Sequence, residues 1–201
     1  IALGTLLLSL PIASRYGRMR VIDAMFTATS ATCVTGLVVR DTWTQFTVFG
    51  QAVILVLIQV GGLGLVTLTS FFALAMRRRM GFRDLRLLGE SVSADGYAQA
   101  KEVLKTVVGL AALFEGIGIL LLLFAFVPQF GLEGIWVSVF TAISAFCNAG
   151  FDLFGRFGQY SSLVPYVSNY YVQAVVMFMI ISGGLGFMVW VEIGEYHKKH
   201  R

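Results

Sequence analysis

Charge is scarce in this chain of 201 residues: 13% are Asp, Glu, Lys or Arg, against 57% hydrophobic. Soluble domains carry about 25% charged and roughly 45–50% apolar residues. So little polar surface cannot cover a water-soluble core of this size, which excludes an ordinary soluble domain and points to an integral membrane protein. Cysteine and histidine are scarcer still, with two of each. Two cysteines exclude a disulfide framework, and two histidines leave little for a metal site. His197 and His200 both lie in the terminal tail, so no Ser–His pair or metal-ligand set sits at membrane depth and an intramembrane enzyme is disfavoured. The basic excess, 15 against 11 acidic residues, sits at the ends of apolar runs rather than on a soluble face. It reads as membrane anchoring and excludes nucleic acid as a partner.

What is present is long, uncharged and segmented. Thr42 to Met76 and Phe157 to Val191 contain no charged residue, and Thr106 to Leu132 is interrupted only by Glu115. Each is long enough to span a bilayer, the last ending near Pro128. Ile1–Ala13 reads as part of a further spanning helix; the alternative, a signal peptide, lacks a basic n-region and a cleavage site. Between these runs lie Val21–Thr32 and Gly134–Phe146, each a helix of about 12–13 residues, roughly 20 Å long and too short to cross. They read as re-entrant or interfacial helices. Basic residues orient the chain. Arg77, Arg78, Arg79, Arg83, Arg86, Lys101, Lys105, Lys198, Lys199 and Arg201 fall on the cytoplasmic side, and Arg15, Arg18, Arg20, Arg40 and Arg156 outside. The predicted organisation is a first repeat over 1–78, a cytoplasmic linker over 79–100 and a second repeat over 101–201, in a multi-pass protein of the cell membrane.

The repeat is explicit. Phe26-Thr27-Ala28-Thr29-Ser30-Ala31-Thr32-Cys33-Val34-Thr35-Gly36 aligns with Phe140-Thr141-Ala142-Ile143-Ser144-Ala145-Phe146-Cys147-Asn148-Ala149-Gly150, with seven of eleven positions identical. Gln51-Ala52-Val53 matches Gln173-Ala174-Val175, and Gly61-Gly62-Leu63-Gly64 matches Gly183-Gly184-Leu185-Gly186. The offset is 114 in the first block and 122 afterwards, which places an eight-residue insertion near Gln159–Ser168. Non-helical backbone is tolerated within a bilayer only where it is buried in protein or lines a water-filled path. Cys33–Gly36 and Cys147–Gly150 each follow a short helix and end in glycine, which reaches backbone angles closed to other residues. Their carbonyls can face a common axis and replace the hydration shell of an alkali cation, helped by the negative end of the short helix. The bland alternative is a pair of tight turns after interfacial helices.

The first block, with Leu37 and Gln59-Val60-Gly61-Gly62-Leu63-Gly64, resembles the first repeat of the Ktr-type potassium-uptake membrane subunit of the Trk/Ktr/HKT superfamily. Ser144-Ala145-Phe146-Cys147-Asn148-Ala149-Gly150-Phe151-Asp152 resembles its second repeat. The resemblance covers essentially the whole chain. It implies an all-α integral membrane fold of two tandem helix–pore-helix–filter–helix units, half of a pseudo-fourfold pore. It implies potassium as substrate, bound by the backbone carbonyls of Thr32, Cys33, Val34, Thr35 and Gly36 and of Cys147, Asn148, Ala149 and Gly150. Gly36 and Gly150 stand as the filter glycines. In plant relatives a serine at the first of these accompanies sodium transport, so Gly36 favours potassium. The resemblance also implies four units per pore, a homodimer, a cytosolic nucleotide-binding regulatory subunit, no bound cofactor, and sodium as a coupling or activating ion. Two units cannot close a ring, so the other two belong to the missing part of the chain or to a second chain. The competing function is a secondary carrier whose broken-helix repeats bind a cation or small solute at mid-membrane; repeats of like orientation argue against it.

Other residues carry paired readings. Cys33 and Cys147 read as small packing residues behind the filter, or as a pair facing each other across the pore. The two Gly-Gly-Leu-Gly motifs are not phosphate loops, because no Lys-Ser/Thr follows. They read as points of close helix approach, with a hinge as the alternative. Gln51 and Gln173 read as hydrogen-bond donors to a short helix or loop. Glu115 reads as a hydrogen-bonded structural group or a place on the ion path. Asp152 stands at the pore mouth, drawing cations or capping a loop. Trp43, Trp136, Tyr160, Tyr166, Tyr170 and Tyr171 read as an aromatic belt. The Arg77–Arg79 cluster reads as a topology anchor, or as a docking point for a cytosolic partner or anionic lipid.

Overall fold

A computed structural model describes residues 1–77, 94–186 and 189–190; over 65–77 and 94–104 it describes the course of the backbone alone. Seven α-helices are defined among them: α1 (Ala2–Leu8), α2 (Val21–Thr32), α3 (Thr42–Gln45), α4 (Val48–Arg77), α5 (Ala94–Phe130), α6 (Glu133–Phe146) and α7 (Tyr170–Gly184). The described residues contain no strand, only an isolated bridge between Ser14 and Phe46. The short helices fall where the apolar runs put them, 12 residues in α2 and 14 in α6. Lys105–Phe130 is long and apolar enough to cross a membrane, and Val48–Gly64 and Tyr170–Gly184 are shorter apolar helices.

Pro128 does not end α5, which continues to Phe130. Close to the C-terminus a proline costs one backbone hydrogen bond without disrupting a following helix. Gly131 takes over as terminator at φ +62°, with its N–H on the Val127 carbonyl at 2.8 Å.

The chain divides into two compact units, residues 1–62 with 114–184, and residues 63–113 with 185–201. The first contains both short helices and the segments that follow them. Its core holds Ile54, Ile58, Leu122, Phe126, Phe140, Phe154 and Met179, all fully buried. Within it α1 packs on α2, α6 on α7, and α3 on a 3-10 turn at Phe154–Arg156. In the second unit the described backbone is largely helical, comprising the far part of α4 and the start of α5. Residues 94–100 of the expected linker are helical. The remainder of that linker lies outside the described residues, with Arg78, Arg79, Arg83 and Arg86, as do the tail residues His197, Lys198, Lys199, His200 and Arg201.

The insertion between the repeats' offsets corresponds to a loop with a further 3-10 turn at Val164–Tyr166. This corrects one expectation. Tyr166 is not part of an exposed aromatic belt: it is buried against Phe126, Phe154 and Phe157, and its hydroxyl donates to Gln129 Oε1 at 2.6 Å. Pro165 starts the turn that swings it inward. Tyr160, Tyr170 and Tyr171 are exposed.

Candidate functional site

Both short helices end in the same backbone geometry. After α2, the amide of Cys33 donates to the Thr29 carbonyl at 2.8 Å, Val34 to Ala31 at 3.3 Å and Thr35 to Ser30 at 3.0 Å. After α6, Cys147 donates to Ile143 at 2.9 Å, Asn148 to Ala145 at 3.0 Å and Ala149 to Ser144 at 2.8 Å. Val34 and Asn148 both lie in the left-handed region, at φ 56° and 58°, and Gly36 and Gly150 both at 73°. Asparagine visits that region readily, whereas a β-branched valine there is a genuine outlier costing roughly 1–3 kcal/mol. Composition alone could not reveal the strain at Val34.

The consequence is a separation of donors from acceptors. The N–H groups of residues 33–35 and 147–149 turn back onto their helices. Among the described residues no hydrogen bond reaches the carbonyl oxygens of Cys33, Val34, Thr35 and Gly36, or of Cys147, Asn148, Ala149 and Gly150. The two segments also meet. A Cβ placed on Gly36 would stand 2.8 Å from the Ala149 carbonyl oxygen and 3.4 Å from Gly150 Cα. The helix C-termini deliver partial negative charge to the same place.

The glycine motifs explain how these segments are held. A Cβ on Gly61 would overlap the carbonyl of Thr32, and one on Gly183 would overlap the carbonyl of Phe146. Thr32 and Phe146 are the last residues of α2 and α6. The close approach expected of these motifs is therefore made to a short-helix end. Gly62 meets Cys147, with a Cβ position 2.8 Å from its Sγ, whereas a Cβ on Gly64 would meet nothing within 4 Å among the described residues. Cys147 is thus a packing residue, as expected. Cys33 is exposed, which corrects its place behind the segment.

Four polar links tie the copies together or brace one of them. Gln51 Nε2 donates to the Phe46 carbonyl at 3.1 Å, and its Oε1 accepts from the Trp136 indole of α6 at 2.8 Å. Gln173 Nε2 donates to the Tyr166 carbonyl at 3.2 Å. Both glutamines therefore hold loops, and Gln51 an α6 side chain too. Buried Glu115 accepts from Gln59 Nε2 at 2.8 and 3.0 Å, and Gln59 Oε1 accepts from the Cys147 thiol at 3.8 Å. Glu115 is thus bound structurally, through α4, to the base of the second segment. Asp23, in the first turn of α2, accepts from Arg20 at 3.3 Å and from Arg40 at 3.2 Å, linking the start of the helix to the chain leaving Cys33–Gly36. Sequence reasoning passed over Asp23, although its spacing from Arg20 is that of neighbours on one helix face. In the second copy the aligned positions are Val137 and Phe154, both fully buried.

On the side where the chain leaves the two segments, Asp41 and Asp152 lie near each other. Asp41 caps α3, accepting from the Thr44 amide at 2.8 Å, and accepts from the Tyr160 amide at 3.0 Å. Asp152 accepts from the Phe154 amide at 2.9 Å, so the loop-capping reading is realised. Burial pushes its pKa above the ordinary carboxylate value; the Phe154 amide opposes that, the charge of Asp41 adds to it, and Ser162 opposes it. Arg156 lies over the Trp43 ring at 4.6 Å and the Phe130 ring at 4.2 Å, and pairs with Glu133 at 2.6 Å. Trp43 is thereby engaged by a cation instead of standing free at an interface.

Comparison with known proteins gives a consistent set of relatives. The TrkH family, described as cation transport protein, matches residues 4–200. The potassium/sodium uptake protein NtpJ of Enterococcus hirae is 40% identical over 200 residues, which cover 98% of this chain and 43% of that protein. The Ktr system potassium uptake protein B of Bacillus subtilis is 40% identical over 194 residues, 96% of this chain and 42% of the relative. Its namesake from Vibrio alginolyticus is 36% identical over 194 residues, 96% and 41% respectively. The chain therefore spans about two-fifths of the length of these curated relatives.

Proposed function

Because the chain belongs to the TrkH family of cation transport proteins, we propose that it forms part of a potassium-translocating membrane subunit of a potassium-uptake system. Conduction is channel-like, through a filter of backbone carbonyls. Residues 33–36 and 147–150 supply two quarters of that filter, the Thr32 carbonyl being closed off against Gly61, and two further repeats complete it. The observation that carries this reading is the matched pair of segments with Gly36 against Gly150, whose amides are consumed by their own helices and whose carbonyls accept nothing among the described residues. A bare carbonyl at membrane depth has no water to satisfy it, and a dehydrated cation is the group that does. Short helices α2 and α6 act as pore helices, aiming their negative ends at the ion. Asp152 stands at the outer mouth. The protein works in the cell membrane as a multi-pass homodimer beside a cytosolic nucleotide-binding subunit, with sodium as coupling or activating ion.

The test is selectivity. In the full-length protein, Gly36→Ser and Gly150→Ser place a side chain where φ is +73° and where the two segments touch. Potassium and sodium uptake are measured in a cell lacking its own potassium uptake. The variants lose discrimination between the ions by about tenfold, roughly 1.4 kcal/mol. Unchanged discrimination in both would overturn the filter assignment and return the carrier reading to first place.

A further inference from the structure

A chain of polar side chains reaches the second segment from behind. Cys147 opens that segment, and its side chain is seated between two residues one turn apart on α4. Gln59 Oε1 accepts from its thiol at 3.8 Å, and a Cβ on Gly62 would stand 2.8 Å from its Sγ and 2.9 Å from its Cβ. A thiol is a weak donor and 3.8 Å is long, so the closeness of Gly62 fixes where the sulfur lies and the amide fixes what it faces. The other end of that amide is committed. Gln59 Nε2 lies 2.8 and 3.0 Å from the two carboxylate oxygens of Glu115, which is buried on α5. At the place equivalent to Gln59 the second copy has Ile181, which offers no amide.

The chain has a direction. A carboxylate accepts and cannot donate, so Glu115 takes the NH2 end of the amide and leaves its oxygen for Cys147. The reversed amide would set its oxygen against two carboxylate oxygens and its NH2 against the thiol. Among the described residues the side chains of Gln59 and Glu115 make no other hydrogen bond. In apolar surroundings few alternative partners exist, so each link carries more weight than it would in water. The Cys147 amide meanwhile donates to the Ile143 carbonyl at 2.9 Å. Held by its amide on one side and its side chain on the other, residue 147 has little freedom to turn. Its carbonyl begins the row of oxygens that accept nothing among the described residues.

We infer that Gln59 and Glu115 are positioning residues for ion selection. Glu115 fixes the Gln59 amide, the amide and Gly62 fix Cys147, and Cys147 fixes the aim of the first carbonyl of the second segment. This rests on the filter reading given above and adds to it that discrimination between ions is set in part from α4 and α5, outside the segments themselves.

In the full-length protein, potassium and sodium uptake are measured in a cell lacking its own potassium uptake, each divided by the amount of folded protein in the membrane. Glu115→Gln strands no charge and lets the Gln59 amide settle either way round, because its new partner both donates and accepts. Gln59→Met combined with Glu115→Met removes the chain without leaving a buried carboxylate unpaired. Both are expected to lower the potassium-to-sodium ratio by about fivefold. Cys147→Ala lowers it by a similar factor, and adding Glu115→Gln brings no further loss, because the two act through one contact. Gln51→Met removes a buried amide that is bonded to Phe46 and Trp136 and to neither segment. It lowers the amount of folded protein and leaves the ratio unchanged. Gly36→Ser and Gly150→Ser are the reference for the filter itself. The inference is overturned, and the filter reading kept, if a glycine variant shifts the ratio while Glu115→Gln and the paired Met variant hold the wild-type value. It is also overturned if the losses from Cys147→Ala and Glu115→Gln multiply, or if Gln51→Met lowers the ratio as far. An unchanged ratio in both glycine variants overturns the filter reading, and this inference with it.

Discussion

Asp152 is the residue whose charge state has a measurable cost. Burial holds its native pKa above 3.8, so the folded protein binds this proton more tightly than the unfolded chain does. Its contribution is most favourable below the unfolded value and is lost as pH rises from 3.8 through the higher folded value. Melting temperatures of Asp152→Asn between about pH 4 and about pH 7 therefore decline less steeply than those of wild type. The asparagine retains an oxygen for the Phe154 amide, so the loop cap survives. At this scale the sequence was legible where a residue type is demanded by geometry. Gly36 and Gly150 stand at positive φ, as a glycine after a short helix suggests. Val34 stands there too, and a valine carries no such signal.

Helix ends, and what abuts them, decide how the elements hold together. Gly61 and Gly183 are sites where the next atom is a carbonyl of the preceding short helix, so Gly61→Ala and Gly183→Ala force a backbone to move. Each is expected to cost about 1–3 kcal/mol, comparable with an overpacked core, seen as lost folded yield in detergent. Gly64→Ala, whose Cβ meets nothing among the described residues, gains helix propensity at no comparable cost. The Gln59–Glu115 link makes a second prediction. Gln59→Leu strands a buried carboxylate without its donor and destabilises by about 3 kcal/mol, and adding Glu115→Leu recovers most of that loss. A double-mutant cycle on melting temperature measures the coupling; additive effects would show that the two groups act independently. The helices themselves were readable because apolar run length encodes them, as in α2 and α6. The Gln59–Glu115 link was not, because the partners lie 56 positions apart and a lone amide has no periodicity.

At the scale of the whole molecule, the chain supplies two copies of a unit that the proposed pore requires four times. Expressed alone as 201 residues it is expected to give no potassium uptake in a deficient cell, whereas the full-length protein restores growth on low potassium. The short helices carry an electrical consequence. Twelve residues of α2 reach about 18 Å, little more than half of a hydrocarbon core about 30 Å thick. In the pore proposed above, a constriction no deeper than the segments ending at Gly36 and Gly150 leaves the rest of the membrane's depth to wider, aqueous passage. The membrane voltage then falls mainly across the few residues ending at Gly36 and Gly150. An interior-negative potential is worth about 2.3 kcal/mol per charge per 100 mV, and nearly all of it acts on the cation over those residues.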